Sequence, residues 1–277
     1  MQRSVLFVLF LLVFLTGCSS SRPGGVQEHA ESKWSLIQKN FASHHLDPRH
    51  TLIILDDDDS ILENTNYIGS PPWFAAEKKA ISNGKGIVTS MSDFYALNDF
   101  VLSLSPMKLC ESSEKAIISN WQKRGFTVMV VTARTPLVRF STQRELINNG
   151  INITGYPCLK SQCVHGLGRV LFLGANKKHA YTQGFLFDTG ANKATALQQL
   201  FAAAPPAESF TNYVVVDDTQ KNLTDFHNWF KQQTKVKSLY LYHYTKRPTF
   251  EKPADVHAVD KGIVALYKEF GSPERVY

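Results

Sequence analysis

The chain has 277 residues, 43% of them apolar, and a net charge of +6 from 30 Lys and Arg against 24 Asp and Glu. That length suits one large globular domain, or one domain carrying an insertion. The positive charge is spread along the chain without a basic block or an Arg-rich arm, which argues against nucleic acid as a partner and is compatible with an anionic substrate.

The N-terminus begins Met1-Gln2-Arg3 and continues with an apolar run from Val5 to Leu15. The run is shorter than the roughly 20 residues a membrane span needs and has the layout of a signal peptide. Residues 1–17 are read that way. Leu15-Thr16-Gly17-Cys18 resembles the lipobox of bacterial lipoproteins. The resemblance implies cleavage before Cys18, acylation of Cys18 and a lipid anchor in the membrane on the periplasmic side. Ser19 after the Cys is similar to the pattern sent to the outer membrane. The plainer alternative is an ordinary secretory signal with a chance Cys. Residues 18–32, rich in Ser, Gly and Pro at their start, are expected to be a flexible tether. The folded domain is expected over 33–277. An oxidising compartment permits one disulfide among Cys110, Cys158 and Cys163, with Cys158 and Cys163 the expected pair, and their spacing makes no zinc site.

Helical spacing of Trp34, Leu36, Ile37 and Phe41 predicts a helix over about 32–44. A strand follows at Leu52–Leu55 and runs into Asp56-Asp57-Asp58-Asp59-Ser60. Four adjacent carboxylates repel one another and disfavour a strand, so they belong at its C-terminal mouth, where open α/β sheets bind ligands. Residues 63–105 read as a small helical cap insertion, with helices from Trp73 to about Ser82 and from Ser92 to Leu104. Trp73, Phe74, Phe94, Tyr95 and Phe100 are expected to pack it, some also lining a substrate. Next come a helix over Glu111–Lys123, a strand over Phe126–Val131 ending at Thr132-Ala133-Arg134, and a helix over Leu137–Asn148. Strands at 170–173 and 179–187 read as a β-hairpin excursion. A helix over Lys193–Ala203, a strand over Tyr213–Val216, Asp217-Asp218, a helix over Lys221–Gln233, a strand over Val236–Tyr244 and a terminal helix from about Asp255 to Phe270 complete the chain. This order predicts a doubly wound, Rossmann-like parallel sheet of the α/β class.

In such a sheet Asp56, Asp58, Thr132, Lys193 and Asp217-Asp218 converge at one edge. A carboxylate nucleophile, a second acid, a hydroxyl, a Lys and further carboxylates suit phosphoryl transfer, with Mg²⁺ on oxygen ligands neutralising the approach of two anions. An EF-hand starting at Asp56 would need Gly at Ile61 and Glu at Tyr67, and fails. His44, His45, His165 and His179 have no metal-ligand spacing.

Asp56-x-Asp58-x-Ser60 after an apolar strand, Val130-Val131-Thr132, Lys193, and Val216-Asp217-Asp218 with Asn222 trailing resemble, in order, the four motifs of the haloacid-dehalogenase-like (HAD) phosphatases. The likeness covers roughly residues 52–244 and is nearest to bacterial secreted acid phosphatases and HAD-like lipoproteins. It implies a Mg²⁺-dependent phosphomonoester hydrolase. Asp56 would be nucleophile and metal ligand. Asp58 would be general acid and then base, with its carbonyl on the metal. Thr132 and Lys193 would hold phosphoryl oxygens, and Asp217 the metal. Asp218 would be a direct or water-mediated ligand. Ser60 stands where Thr is commoner and keeps the hydroxyl; Asn222 and Arg134 are support candidates, open against a purely structural role. Asp57 and Asp59 are expected to orient the loop or face solvent, and crowding is expected to raise some carboxyl pKa values. A binding protein without turnover and a phosphotransferase to an alcohol are the alternatives; the substrate and the oligomeric state are not legible.

Overall fold

The computed structural model describes residues 25–153, 170–174, 178–204 and 210–271. Its framework is a set of short aliphatic and aromatic runs that carry no Asp, Glu, Lys or Arg until Asp217 closes β9, which suits strands covered on both faces. These are β2 (Thr51–Leu55), β5 (Thr127–Thr132), β8 (Phe185–Phe187), β9 (Asn212–Asp217) and β10 (Ser238–Tyr244). All five pair in parallel in the order β10-β9-β2-β5-β8. One edge is extended by β1 (Val26–Glu31), parallel to β10; the other by β7 (His179–Thr182) and β6 (Leu171–Leu173), both antiparallel. The architecture is therefore a mostly parallel, Rossmann-like α/β fold. Because the central strands share one direction, the residues that follow β2, β5, β8, β9 and β10 all gather at a single edge.

Alternate residues of each strand face opposite layers. Ile53, Leu55, Val128, Val130, Val214 and Val216 pack against α1 (Trp34–Ser43), α4 (Glu114–Lys123) and α5 (Arg139–Asn148) through Trp34, Phe41, Trp121 and Leu146. Leu52, Ile54, Met129, Val131 and Val215 pack against α6 (Lys193–Ala203) and α7 (Gln220–Lys231) through Leu197, Leu200 and Phe226. Double coverage explains why β2 reads Thr-Leu-Ile-Ile-Leu with no polar alternation. Cutting Ile53, at its centre and fully buried, to Ala would cost about 2–5 kcal/mol.

Between β2 and α4 lies the helical insertion, α2 (Pro71–Ser82) and α3 (Met91–Leu104). A short antiparallel pair, β3 (Leu62–Asn64) with β4 (Met107–Leu109), ties its neck. Trp73, Phe94 and Val101 form its own core. Helix α2 starts two residues before the expected Trp73, because Pro71 and Pro72 occupy first-turn positions that need no N–H and Ser70 caps the end. Trp73 Nε1 donates to Asp260 Oδ1 at 3.0 Å, pinning the insertion to α8 (Val256–Leu266).

Two expectations are corrected. Residues 26–31, read from composition as tether, form β1: an edge strand beside β10 needs few apolar residues, and its backbone bonds plus the stacking of His29 on Tyr242 (5.3 Å) suffice. The stretch 179–187 is not one strand of an excursion. Gln183 and Gly184 both take positive φ (46° and 91°) and fold it into β7 and β8. That two-residue turn matches the twist of a hairpin, and β8 joins the central sheet beside β5. The signal peptide, Cys18, His165 and the Cys158–Cys163 pair lie outside the described residues. Cys110 is buried and free, and no helix among the described residues is long and apolar enough to cross a membrane.

Candidate functional site

Strand β2 ends at Leu55, and the ladder carries on for one bond, with Asp56 N donating to the Val216 carbonyl at 2.9 Å. The chain then turns sharply. The Asp57 carbonyl accepts from Ile61 N (2.9 Å) and Leu62 N (3.0 Å), and Asp59 takes φ 59°. Asp is one of the few side chains that enter this left-handed region readily. The four carboxylates consequently diverge instead of stacking along a strand.

Asp56 faces the loops after β8 and β9. Lys193, the first residue of α6, sets its Nζ 2.5 Å from Asp56 Oδ1 and 2.8 Å from Asp217 Oδ2. Ser60 Oγ donates to Asp56 Oδ2 at 3.0 Å and accepts from Asp218 N at 3.0 Å. Asn222 Nδ2 donates to both Asp217 oxygens (3.0 and 3.1 Å), and Thr219 N donates to Asp217 Oδ1 at 2.8 Å. Asp56, Asp217 and Asp218 each offer an oxygen, and these lie within 4.8 Å of one another. Three convergent hard oxygen donors fit a small divalent cation. Among the described residues no His or Cys joins such a group.

A second cluster adjoins the first. Arg134 Nε and Nη2 donate to Asp58 Oδ2 (3.0 Å) and Oδ1 (2.7 Å), a two-pronged grip on one carboxylate. Nη1 donates to Thr142 Oγ1 at 2.9 Å, and Nε also stands 3.3 Å from Asp57 Oδ2. That last contact is a charge contact without hydrogen-bond alignment, since neither Asp57 oxygen has a hydrogen-bond partner. Thr132 Oγ1 accepts from Arg134 N at 3.2 Å.

The sequence-selected residues thus fall into two touching groups: Asp56, Ser60, Lys193, Asp217, Asp218 and Asn222 in one, Asp58, Thr132 and Arg134 in the other. Asp57 and Asp59 do not face solvent. Both are buried, whereas the Asp58 side chain retains 29% exposure. Asp57 turns inward because the buried guanidinium lies there; Asp59 is folded in by its left-handed backbone.

Burial dominates the electrostatics; the opposing pull of a buried cation comes next for Asp56 and Asp57, and carboxylate repulsion comes next for Asp59 and Asp218. Burial raises Asp56 well above the ordinary carboxyl range, against the pull of Lys193 and with further push from Asp217 and Asp218. It lifts Asp57 to about 6 against the pull of Arg134, and Asp59 to about 7 with help from Asp58 and Asp218. Asp218 is raised first by burial and then by Asp217. Crowding, the cause expected from the sequence, contributes, but the enclosure of the turn makes desolvation the larger cause. Burial works against the charge on Lys193 and on Arg134, yet their carboxylate partners outweigh it and hold both above their ordinary values.

Three participants carry no sequence signal of their own. Asp188, at the end of β8, is fully buried beside Lys193. Burial pushes it up to about 7 against Lys193 and the N–H groups of Gly190 and Ala191. Arg247 and His243, from the end of β10, both reach Asp218. Only the parallel order of β10 beside β9 brings them there.

The model of the family described as "Protein of unknown function (DUF2608)" matches residues 30–263. The chain belongs to the DUF2608 family. Its matched span takes in every residue of both clusters. No curated protein matches the chain, and no solved structure does.

Proposed function

We propose that this chain is a Mg²⁺-dependent phosphomonoester hydrolase of the HAD type, acting through an aspartyl-phosphate on Asp56. The observation that carries the proposal is the convergence of Asp56, Asp217 and Asp218 within 4.8 Å, with Lys193 bonded to the first two. A nucleophilic carboxylate that sits beside both a cation-sized oxygen cage and a fixed ammonium suits attack on a phosphate dianion. Asp56, Asp217 and Asp218 are the residues that would hold Mg²⁺, which supplies charge neutralisation for the approaching anions.

Asp56 forms the new bond to phosphorus as the ester P–O bond breaks, and Asp58 gives its proton to the departing alcohol oxygen. A water then yields a proton to Asp58 and its oxygen to phosphorus, the Asp56–phosphorus bond breaks, and inorganic phosphate leaves. Arg134 fixes the plane of the Asp58 carboxyl at the exposed side of the turn. Ser60 and Asn222 orient Asp56 and Asp217. By the lipobox likeness, the same proposal anchors the enzyme through Cys18 in the bacterial envelope, which release of a Cys18→Ser variant from the membrane fraction would test.

The functional test is a panel of phosphomonoesters assayed with and without Mg²⁺. The wild type should release phosphate only with the metal, and Asp56→Asn should lose turnover by a factor of at least about 10³ while keeping its fold. Equal turnover in the two proteins would sink the assignment of Asp56. A phosphorylated alcohol formed from added glycerol would make the enzyme a transferase.

A further inference from the structure

Three cations stand around these carboxylates, and they differ in accessibility. Lys193 and Arg134 are buried, with their polar contacts inside the site. The Arg247 side chain is 52% exposed and arrives three residues past the end of β10. Its Nη1 donates to Asp218 Oδ2 at 2.8 Å, and its Nη2 donates to the Asp218 carbonyl oxygen at 2.6 Å. These two bonds differ in kind. The carbonyl belongs to a main chain held by β9 and by the bond from Asp218 N to Ser60 Oγ, and His243 Nε2 sits 2.9 Å from the same oxygen. The carboxylate belongs to the group of three that fits a divalent cation. With its guanidinium half exposed, although the Asp218 side chain is only 17% exposed, this ion pair is weak enough to be exchanged for a metal ion.

Resting on the reading of this site as a metal-dependent phosphomonoester site, we propose that Arg247 is a metal-released clamp for a second anionic group on the substrate. When a divalent cation draws the Asp218 carboxylate to itself, Nη1 loses its partner while Nη2 keeps the carbonyl. The guanidinium then stays at the mouth with donors free, in a planar fork that matches a carboxylate or phosphate. The substrates selected are phosphomonoesters whose alcohol part carries its own negative charge.

Calorimetry on the full chain tests this without turnover, using 3-phosphonopropionate and propylphosphonate, which differ by one carboxylate in place of a methyl. Loaded with Mg²⁺, the wild type should bind the carboxylate-bearing phosphonate about ten-fold more tightly. Arg247→Ala should lose that preference, and Arg247→Lys should recover part of it. Without Mg²⁺ the wild type should show no preference, because Asp218 then occupies Nη1. Mg²⁺ itself should bind Arg247→Ala up to about five-fold more tightly than wild type, the competing cation being gone. Weaker Mg²⁺ binding by Arg247→Ala, a preference that survives in it, or no preference in loaded wild type would each overturn the clamp. Absence of Mg²⁺ binding by the wild type would overturn the metal-dependent reading itself. Mg²⁺-dependent hydrolysis without the preference would remove only Arg247.

Discussion

Replacing Lys193 by Met keeps the aliphatic stem and removes the charge. In the wild type the ammonium is buried and bonded to Asp56 and Asp217, themselves 6% and 1% exposed. Without it, two carboxylates face each other away from water, and breaking a buried pair from one side costs about 3–5 kcal/mol. The protein has one escape, which is to protonate. Asp56 already binds its proton more tightly than an ordinary carboxyl, chiefly through burial, and loss of the opposing Lys193 strengthens that hold. The cost should therefore be near its full value at pH 8 and clearly smaller at pH 5, where a proton replaces the missing charge. Urea unfolding with a chelator present, compared at the two pH values, measures this directly. Added Mg²⁺ should restore part of the lost stability at pH 8, since a ligand of the folded state stabilises by mass action. A loss under about 1 kcal/mol at pH 8, or the same loss at both pH values, would refute the charge balance assigned to Lys193.

Arg134→Met should cost about 3–5 kcal/mol in the same assay, because it strands Asp57 inside the protein. Arg134→Lys should cost less while loosening Asp58, and equal costs would contradict a role built on charge. Asp59 and Asp188 are each raised to about 7, first by burial. Between about pH 4 and pH 7 the folded chain thus holds protons that the unfolded chain has released, so stability is highest at the acid end and is lost as pH rises through 7. Melting in chelator should show a higher midpoint at pH 5.5 than at pH 8, and the reverse order would contradict those shifts. Trp73→Phe deletes the bond to Asp260 and should cost about 1–3 kcal/mol. Faster amide exchange should follow in α2 and α8; unchanged stability would mean that the bond does not hold the insertion.

The central strands β2, β5 and β9 were legible as strands because double burial leaves short apolar runs, as in Ile53-Ile54-Leu55 and Val214-Val215-Val216, whereas their order across the sheet and the place of β8 beside β5 were not. The grouping of Asp56, Lys193 and Asp217 followed, since parallel strands deliver their ends to one edge. Less could be read where geometry depends on a single backbone angle. The positive φ of Asp59 hides it from solvent, and that of Gln183 turns an apparent long strand into two. Partners supplied by other loops were also invisible: Arg134 for Asp57, and Arg247 for Asp218, are separated from them by 77 and 29 positions. Nor did composition reveal β1, whose order comes from the open edge of β10. Local pattern specifies strands and helices; side-chain pairing across loops depends on the assembled sheet.

On the proposed reading, a carboxylate oxygen of Asp56 bonds directly to phosphorus. Wild-type protein mixed with an intact phosphomonoester that it turns over and with Mg²⁺, quenched in acid and digested, should carry one phosphoryl group on the peptide containing Asp56, and Asp56→Asn should carry none. Continued release of phosphate with that peptide unmodified at every quench time, or a phosphoryl group on another residue, would contradict the central claim.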